Sequence, residues 1–103
     1  MRRFINSGPE LPDWTSPIAH AVVVDDTCYL SGQLSLDKAG KYVAGTARDE
    51  AGRAFANLFA ALREAGFAVA DLVFIDIAFV DLGDAPHVNA PVSYTHLTLP
   101  TKA

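Results

Sequence analysis

The sequence predicts an α+β fold, and three observations carry that prediction. A single long stretch, Thr46 to Gly66, repeats its apolar residues at helical spacing. Short runs rich in β-branched and aromatic residues precede it, and another run, Leu72 to Asp81, follows it. Turn-forming clusters separate these segments at the places where a sheet would need to reverse. Only one domain is expected: the chain has 103 residues, half of them hydrophobic, which is too short for two ordinary cores and too apolar for disorder.

Taken in order, Arg3 to Asn6 is expected as a first strand, closed by Ser7-Gly8-Pro9. Glu10 to Pro17 carries prolines at 12 and 17 and reads as an extended loop. Ala19 to Val24 and Thr27 to Gln33 are the next strands, with Asp25-Asp26 placed to make a tight hairpin between them. Leu36 to Lys41 is expected as a turn and Tyr42-Val43 as a short strand beyond it.

The helix is the clearest element. Ala51, Ala54, Phe55, Leu58, Phe59, Leu62 and Ala65 form one apolar stripe. Thr46 is the expected N-cap, Asp49 and Glu50 sit where the helix dipole favours negative charge, and Gly66 is the expected stop. Asp49 is spaced to pair with Arg53 one turn on. Gly52 inside the helix costs about 1 kcal/mol against alanine, which predicts close backbone packing at that point.

Leu72 to Asp81 is expected as a strand with Val73, Ile75, Ile77 and Phe79 beneath the helix. Its other face, with Leu72, Phe74, Ala78 and Val80, is also apolar apart from Asp76. One helical layer covers one side of a sheet, so the second apolar face predicts another subunit. Asp84-Ala85-Pro86 then has the form of a second helix start.

Composition narrows the partners. Twelve acidic against eight basic residues leave a net charge of −4, and no basic stripe marks a nucleic-acid surface. No apolar run approaches the roughly 18 residues that span a bilayer, and the segment after Arg2-Arg3 is polar and turn-forming, unlike a signal peptide. A soluble cytoplasmic protein is expected, with no nucleic-acid and no membrane partner. The single cysteine, Cys28, has no neighbour for a disulfide or a zinc pattern and reads as small core filler.

The end of the chain stands apart. Val92 to Thr101, Val-Ser-Tyr-Thr-His-Leu-Thr-Leu-Pro-Thr, agrees residue for residue with a translated transposon-end adapter from sequencing libraries, and the frame extends into Pro91 and Lys102. The expectation is a partial natural domain over residues 1–90 and a non-native tail over 91–103. His96 falls in that tail, so no three-histidine metal site is expected.

Several landmarks occur in a characteristic order: Ser16-Pro17-Ile18-Ala19-His20-Ala21-Val22, Tyr29-Leu30-Ser31-Gly32-Gln33, Asp37-Lys38-Ala39-Gly40-Lys41-Tyr42-Val43, Asn57-Leu58, Ala65-Gly66, Phe79-Val80-Asp81 and Val88-Asn89. In order and spacing they resemble the YjgF/RidA (Rid) family, formerly labelled endoribonuclease L-PSP. The resemblance implies a chorismate-mutase-like mixed sheet with helices on one face, here incomplete at the C-terminus. It also implies a homotrimer with clefts between subunits and hydrolysis of reactive enamines and imines, such as 2-aminoacrylate, to the keto acid and ammonia. No metal or organic cofactor is implied. The expected ligand is a small imine, enamine or keto-acid-like molecule.

The family's carboxylate grip is an arginine in a Pro-x-Arg segment, and a glutamate near the C-terminus is associated with the attacking water. Neither has a counterpart in this chain, because Arg48, Arg53 and Arg63 match no such segment. No catalytic residue is therefore assigned. The substrate-binding candidates that remain are Ser31, Gln33, Asn89 and His20. Where the family often has Pro-Tyr-Ser-Gln-Ala, this chain has Pro17-Ile18-Ala19-His20-Ala21, so two polar cleft residues are replaced and a histidine stands for a glutamine. His20 reads either as a proton carrier or as a hydrogen-bonded structural histidine. Trp14 and its loop are placed to fold over the site. A non-catalytic trimeric metabolite-binding or interaction protein is the alternative to the deaminase, and the acidic composition gives a ribonuclease little support.

Overall fold

The computed structural model describes residues 2–14, 18–75, 77–78 and 101–102. Three strands, β1 (Arg2–Ile5), β2 (Ala21–Val24) and β3 (Thr27–Leu30), form an antiparallel sheet in the order β1-β2-β3. Each lies within or one residue from the segment expected. The hairpin is as tight as the paired aspartates predict: Val24 sits opposite Thr27, and Asp25 takes the left-handed backbone at φ 54°. That conformation is one which aspartate tolerates better than most residues.

The register sorts the sheet into two faces. Ile5, Ala21 and Leu30 lie in one row and Arg3, Val23 and Cys28 in the next, and this face carries the buried core residues Ile5, Ala21 and Val23. The alternate row, Phe4, Val22 and Tyr29, points the other way and leaves Phe4 and Tyr29 exposed.

Helix α1 (Ala47–Glu64) covers the core face. Thr46 caps it through its hydroxyl, which accepts from Asp49 N–H at 3.1 Å, and Gly66 follows it with φ +85°. Ala60, Ala61 and Ala65 meet Ile5, Leu11, Ala21 and Val23, so the helix lies close against the sheet on small side chains. Arg3 reaches up from β1 and donates to Ala65 C=O at 2.7 Å, placing a cation on the helix C-terminus. A second cluster, Ala51, Phe55, Leu62, Leu72 and Ile75, packs the following segment on the helix flank. Arg53 Nε donates to Ser35 Oγ at 3.0 Å, so this arginine serves the loop after β3.

Two sequence expectations are corrected. Gly52 is exposed, and a Cβ there would meet nothing within 4 Å. Its glycine answers no packing demand, so Gly52→Ala is expected to stabilise the chain by about 1 kcal/mol in urea denaturation. An unchanged or lowered midpoint would show that the position is covered in solution.

The strict alternation expected from Leu72 fails as well. A 3-10 turn at Val69–Asp71 leads in, closed by Leu72 N–H on Val69 C=O. Leu72 and Ile75 are buried, while Val73 and Phe74 are exposed, so the apolar contacts come three residues apart instead of two. The turn rotates the chain before it extends. Among the described residues that follow, pairing is seen at β4 (Ile77–Ala78), which runs parallel to β5 (Thr101–Lys102). Asp76, the rest of the expected strand, the helix start at Asp84 and Asn89 lie outside the described residues.

Candidate functional site

The antiparallel hairpin determines which candidates meet. Ala21 pairs with Leu30, so His20, just before β2, falls opposite Ser31, just after β3. The ladder continues one bond past the strands, with Ser31 N–H donating to His20 C=O at 3.0 Å. The Ser31 hydroxyl donates to Ala19 C=O at 2.6 Å. Its donor is thus committed to the backbone, and its oxygen retains accepting capacity.

His20 is fully buried, with 0% of its surface exposed. Its N–H donates to Ile5 C=O at 2.7 Å, which joins the site to the end of β1. Its ring stacks on Trp14, centroids 3.8 Å apart and planes 32° apart. Ring Nε2 lies 2.9 Å from Pro12 C=O and Nδ1 lies 3.4 Å from Gln33 Nε2. A carbonyl oxygen only accepts, so Nε2 bears the hydrogen. Nδ1 faces the side-chain amide of Gln33, whose nitrogen is turned toward it.

The structure therefore brings His20, Gln33 and Ser31 together and places Trp14 over the histidine, as the sequence anticipates for that loop. It gives His20 the character of a hydrogen-bonded structural histidine. Asn89, the fourth candidate, lies outside the described residues. Ile18, the residue in the place of the family's tyrosine, is 59% exposed.

The loop carrying Pro12 and Trp14 is held from below by the turn at 37–40. Asp37 Oδ1 accepts from Ala39 N–H at 2.9 Å and Lys41 N–H at 3.0 Å, closing the turn on its own side chain. Lys38 C=O accepts from Asp13 N–H at 2.9 Å, and Lys38 Nζ donates to Pro9 C=O. The segment after β3 is held from the helix: Asn57, buried, donates both amide hydrogens, to Leu34 C=O at 3.0 Å and Leu36 C=O at 3.1 Å. Sequence reading used Asn57 only as a landmark. Asn57 stands off the apolar stripe of α1, so helical periodicity gave no signal that it is buried.

Three of the arginines are engaged within the fold. Arg3 caps α1, Arg53 serves Ser35, and Arg63 pairs with Glu10 at 3.0 Å on the surface. Burial pushes the Cys28 thiol up, against a smaller pull from Arg3, so this cysteine is a poor nucleophile and packs on the core. The Tyr42 hydroxyl is also raised, first by its hydrogen bond to Glu50. Among the described residues no cluster of three or more histidine, cysteine or acidic side chains is arranged to hold a metal, and no helix is long and apolar enough to cross a membrane.

Comparison with known proteins identifies relatives of the chain. The family described as Endoribonuclease L-PSP matches residues 10–100. A protein of Dermatophagoides farinae named 2-iminobutanoate/2-iminopropanoate deaminase is 36% identical over 86 residues, covering 82% of this chain and 67% of that protein. The human protein of the same name is 33% identical over 90 residues, covering 86% of this chain and 65% of its own. The chain thus spans about two thirds of the length of these curated relatives. Among solved structures, one from Thermotoga maritima is 28% identical with a TM-score of 0.90, covering 100% of this chain and 84% of that one. RidA from an Antarctic Psychrobacter is 27% identical with a TM-score of 0.79, covering 98% and 83%.

Proposed function

This chain belongs to the endoribonuclease L-PSP (YjgF/RidA) family, and from that membership we propose that it is a fragment of an enamine/imine deaminase. The reaction is hydrolysis: water adds across the C=N bond of a 2-imino acid, formed directly or from its enamine tautomer such as 2-aminoacrylate. Ammonia leaves and the 2-keto acid remains. The observation that carries this reading is the 36% identity to a named 2-iminobutanoate/2-iminopropanoate deaminase across most of the chain. The meeting of His20, Ser31 and Gln33 supports a small polar ligand site at the hairpin's end.

In this reading the chain as written is inactive. The family's bidentate carboxylate grip is a Pro-x-Arg arginine, and none of this chain's arginines stands in such a segment. Residues 1–90 are the family's part and 91–103 the appended tail. Asn89 belongs to the cleft in the complete protein, which is cytoplasmic and forms a homotrimer. The row Phe4, Val22 and Tyr29, with Phe4 and Tyr29 exposed, supports the trimer, since it is an apolar sheet face with no helix over it among the described residues. A second reading, a trimeric metabolite-binding protein without turnover, is favoured by Ile18 and Ala19 standing where the family often has tyrosine and serine.

The test joins gene and chemistry. Long-read sequencing across the codons for Asn89 and Ala90 is expected to continue into a Pro-x-Arg segment and a late glutamate. The encoded protein is then expected to accelerate ammonia release from freshly generated 2-aminoacrylate, and the 103-residue chain is not. A frame without that arginine, or a complete protein without turnover, moves the conclusion to the binding reading. Genomic codons matching residues 92–101 would overturn the fragment assignment.

A further inference from the structure

His20 is a fully buried titratable side chain to which the proposed reaction gives no step. Its ring is enclosed by neutral groups. Pro12 C=O takes the hydrogen of Nε2 at 2.9 Å, Trp14 stacks on the ring, and the Gln33 amide nitrogen stands 3.4 Å from Nδ1. Among the described residues no ionisable side chain bonds to the ring. On the elements around it, Glu10 pairs with Arg63, Arg3 donates to Ala65 C=O, and Lys38 donates to Pro9 C=O. Asp37 closes its own turn, Asp13 meets Lys38 C=O through its backbone, and Cys28 packs on the core.

A protonated imidazole has two N–H donors and needs two acceptors. Pro12 C=O is one. Gln33 holds the other, because its Oε1 is buried without a partner on the same amide whose nitrogen faces Nδ1. Half a turn of that amide exchanges the two atoms. The turn gives up one loose contact of 3.4 Å and no bond at Oε1, whereas a good N–H bond measures about 2.9 Å. It gains a charge-assisted hydrogen bond, the stronger kind. Trp14 already offers the charged ring an aromatic face, with centroids 3.8 Å apart.

We propose that His20 and Gln33 form a proton-operated switch: Nδ1 takes a proton from solvent, the Gln33 amide turns over, and Oε1 accepts the new Nδ1–H. The Pro12 bond and the Trp14 stack hold in both states, so the loop over the ring stays closed. The polar group at the present place of Oε1 changes from acceptor to donor. The switch depends on neither the proposed reaction nor its substrate.

The experiment follows the isotope-labelled 103-residue chain by NMR from about pH 8 to about pH 5, where histidine ordinarily takes its proton. At the upper end the hydrogen of His20 is expected on Nε2. On acidification Nδ1 is expected to gain a hydrogen and the Gln33 side-chain NH₂ signals to shift with the same midpoint. The nuclear Overhauser contact between the Trp14 and His20 rings is expected to persist. Gln33→Met removes the second acceptor and is expected to lower the His20 midpoint by about one pH unit, the order of one hydrogen bond to a charged group. Gln33→Glu puts a carboxylate in the same place and is expected to raise it. Gln33 signals that stay still while the ring titrates overturn the switch, as does loss of the Trp14 contact on protonation. A ring that takes no proton while the chain stays folded, or a midpoint unmoved in either variant, overturns it equally.

Discussion

Replacing Asn57 by leucine is expected to destabilise the fold by about 2–4 kcal/mol, measured as a lower urea midpoint with an unchanged slope. The side chain is buried on α1, and both its amide hydrogens are used, on Leu34 C=O and Leu36 C=O. Leucine has the same branching and number of side-chain heavy atoms and is larger, so the loss is not a cavity. It is the desolvation of backbone oxygens left facing apolar carbon, together with release of the segment that follows β3. Asn57→Asp separates this account from simple packing. A carboxylate directs acceptors at two acceptors, so at neutral pH the aspartate variant is expected to be less stable than the leucine variant. Protonation restores one donor, and folding favours that neutral form, so the deficit is expected to shrink as the pH falls through the carboxylate range. An aspartate variant as stable as the parent at neutral pH would rule out the amide bonds as the source of stability.

The second large effect is expected at Gly40. Its φ of +82° is unfavourable for any residue with a side chain, and a Cβ built there would overlap the Asp13 carbonyl oxygen. Gly66 has a similar φ, +85°, but faces open space. The pair separates two penalties that are usually mixed. Gly66→Ala is expected to cost about 1–2 kcal/mol, the left-handed backbone alone. Gly40→Ala is expected to cost at least about 3 kcal/mol, because the backbone of the Pro12–Trp14 loop must also move. That loop carries the partners of the His20 ring, so a changed Trp14 fluorescence is expected in Gly40→Ala and not in Gly66→Ala. Equal costs at the two glycines would show that the loop yields without penalty.

These two positions mark where sequence reading stops. Asn57 lies off the apolar stripe in the sequence, and its acceptors lie 21 and 23 residues away. Gly40 reads as an ordinary turn glycine; the crowding comes from Asp13, brought there by a loop with no periodic signal. Leu72 to Ile75 shows the converse error. The alternating pattern was real in the sequence, but the turn at Val69–Asp71 rotated the chain, and burial followed the space beside α1.

What the sequence determined by itself was local. The helix and its Thr46 cap, the hairpin at Asp25-Asp26, the acidic charge and the family all follow from residues close together or in fixed order. Helical period, turn chemistry and capping are short-range, so a few neighbouring residues suffice to set them. The tertiary structure decided which groups meet. It buried His20, gave its Nε2 hydrogen to Pro12, stacked it on Trp14 and left Gln33 Oε1 without a donor. Those outcomes depend on strand register and on loops folded back across the sheet. A hydrogen bond needs its partners within about 3 Å, and only the assembled chain brings residues 12, 14, 20 and 33 that close.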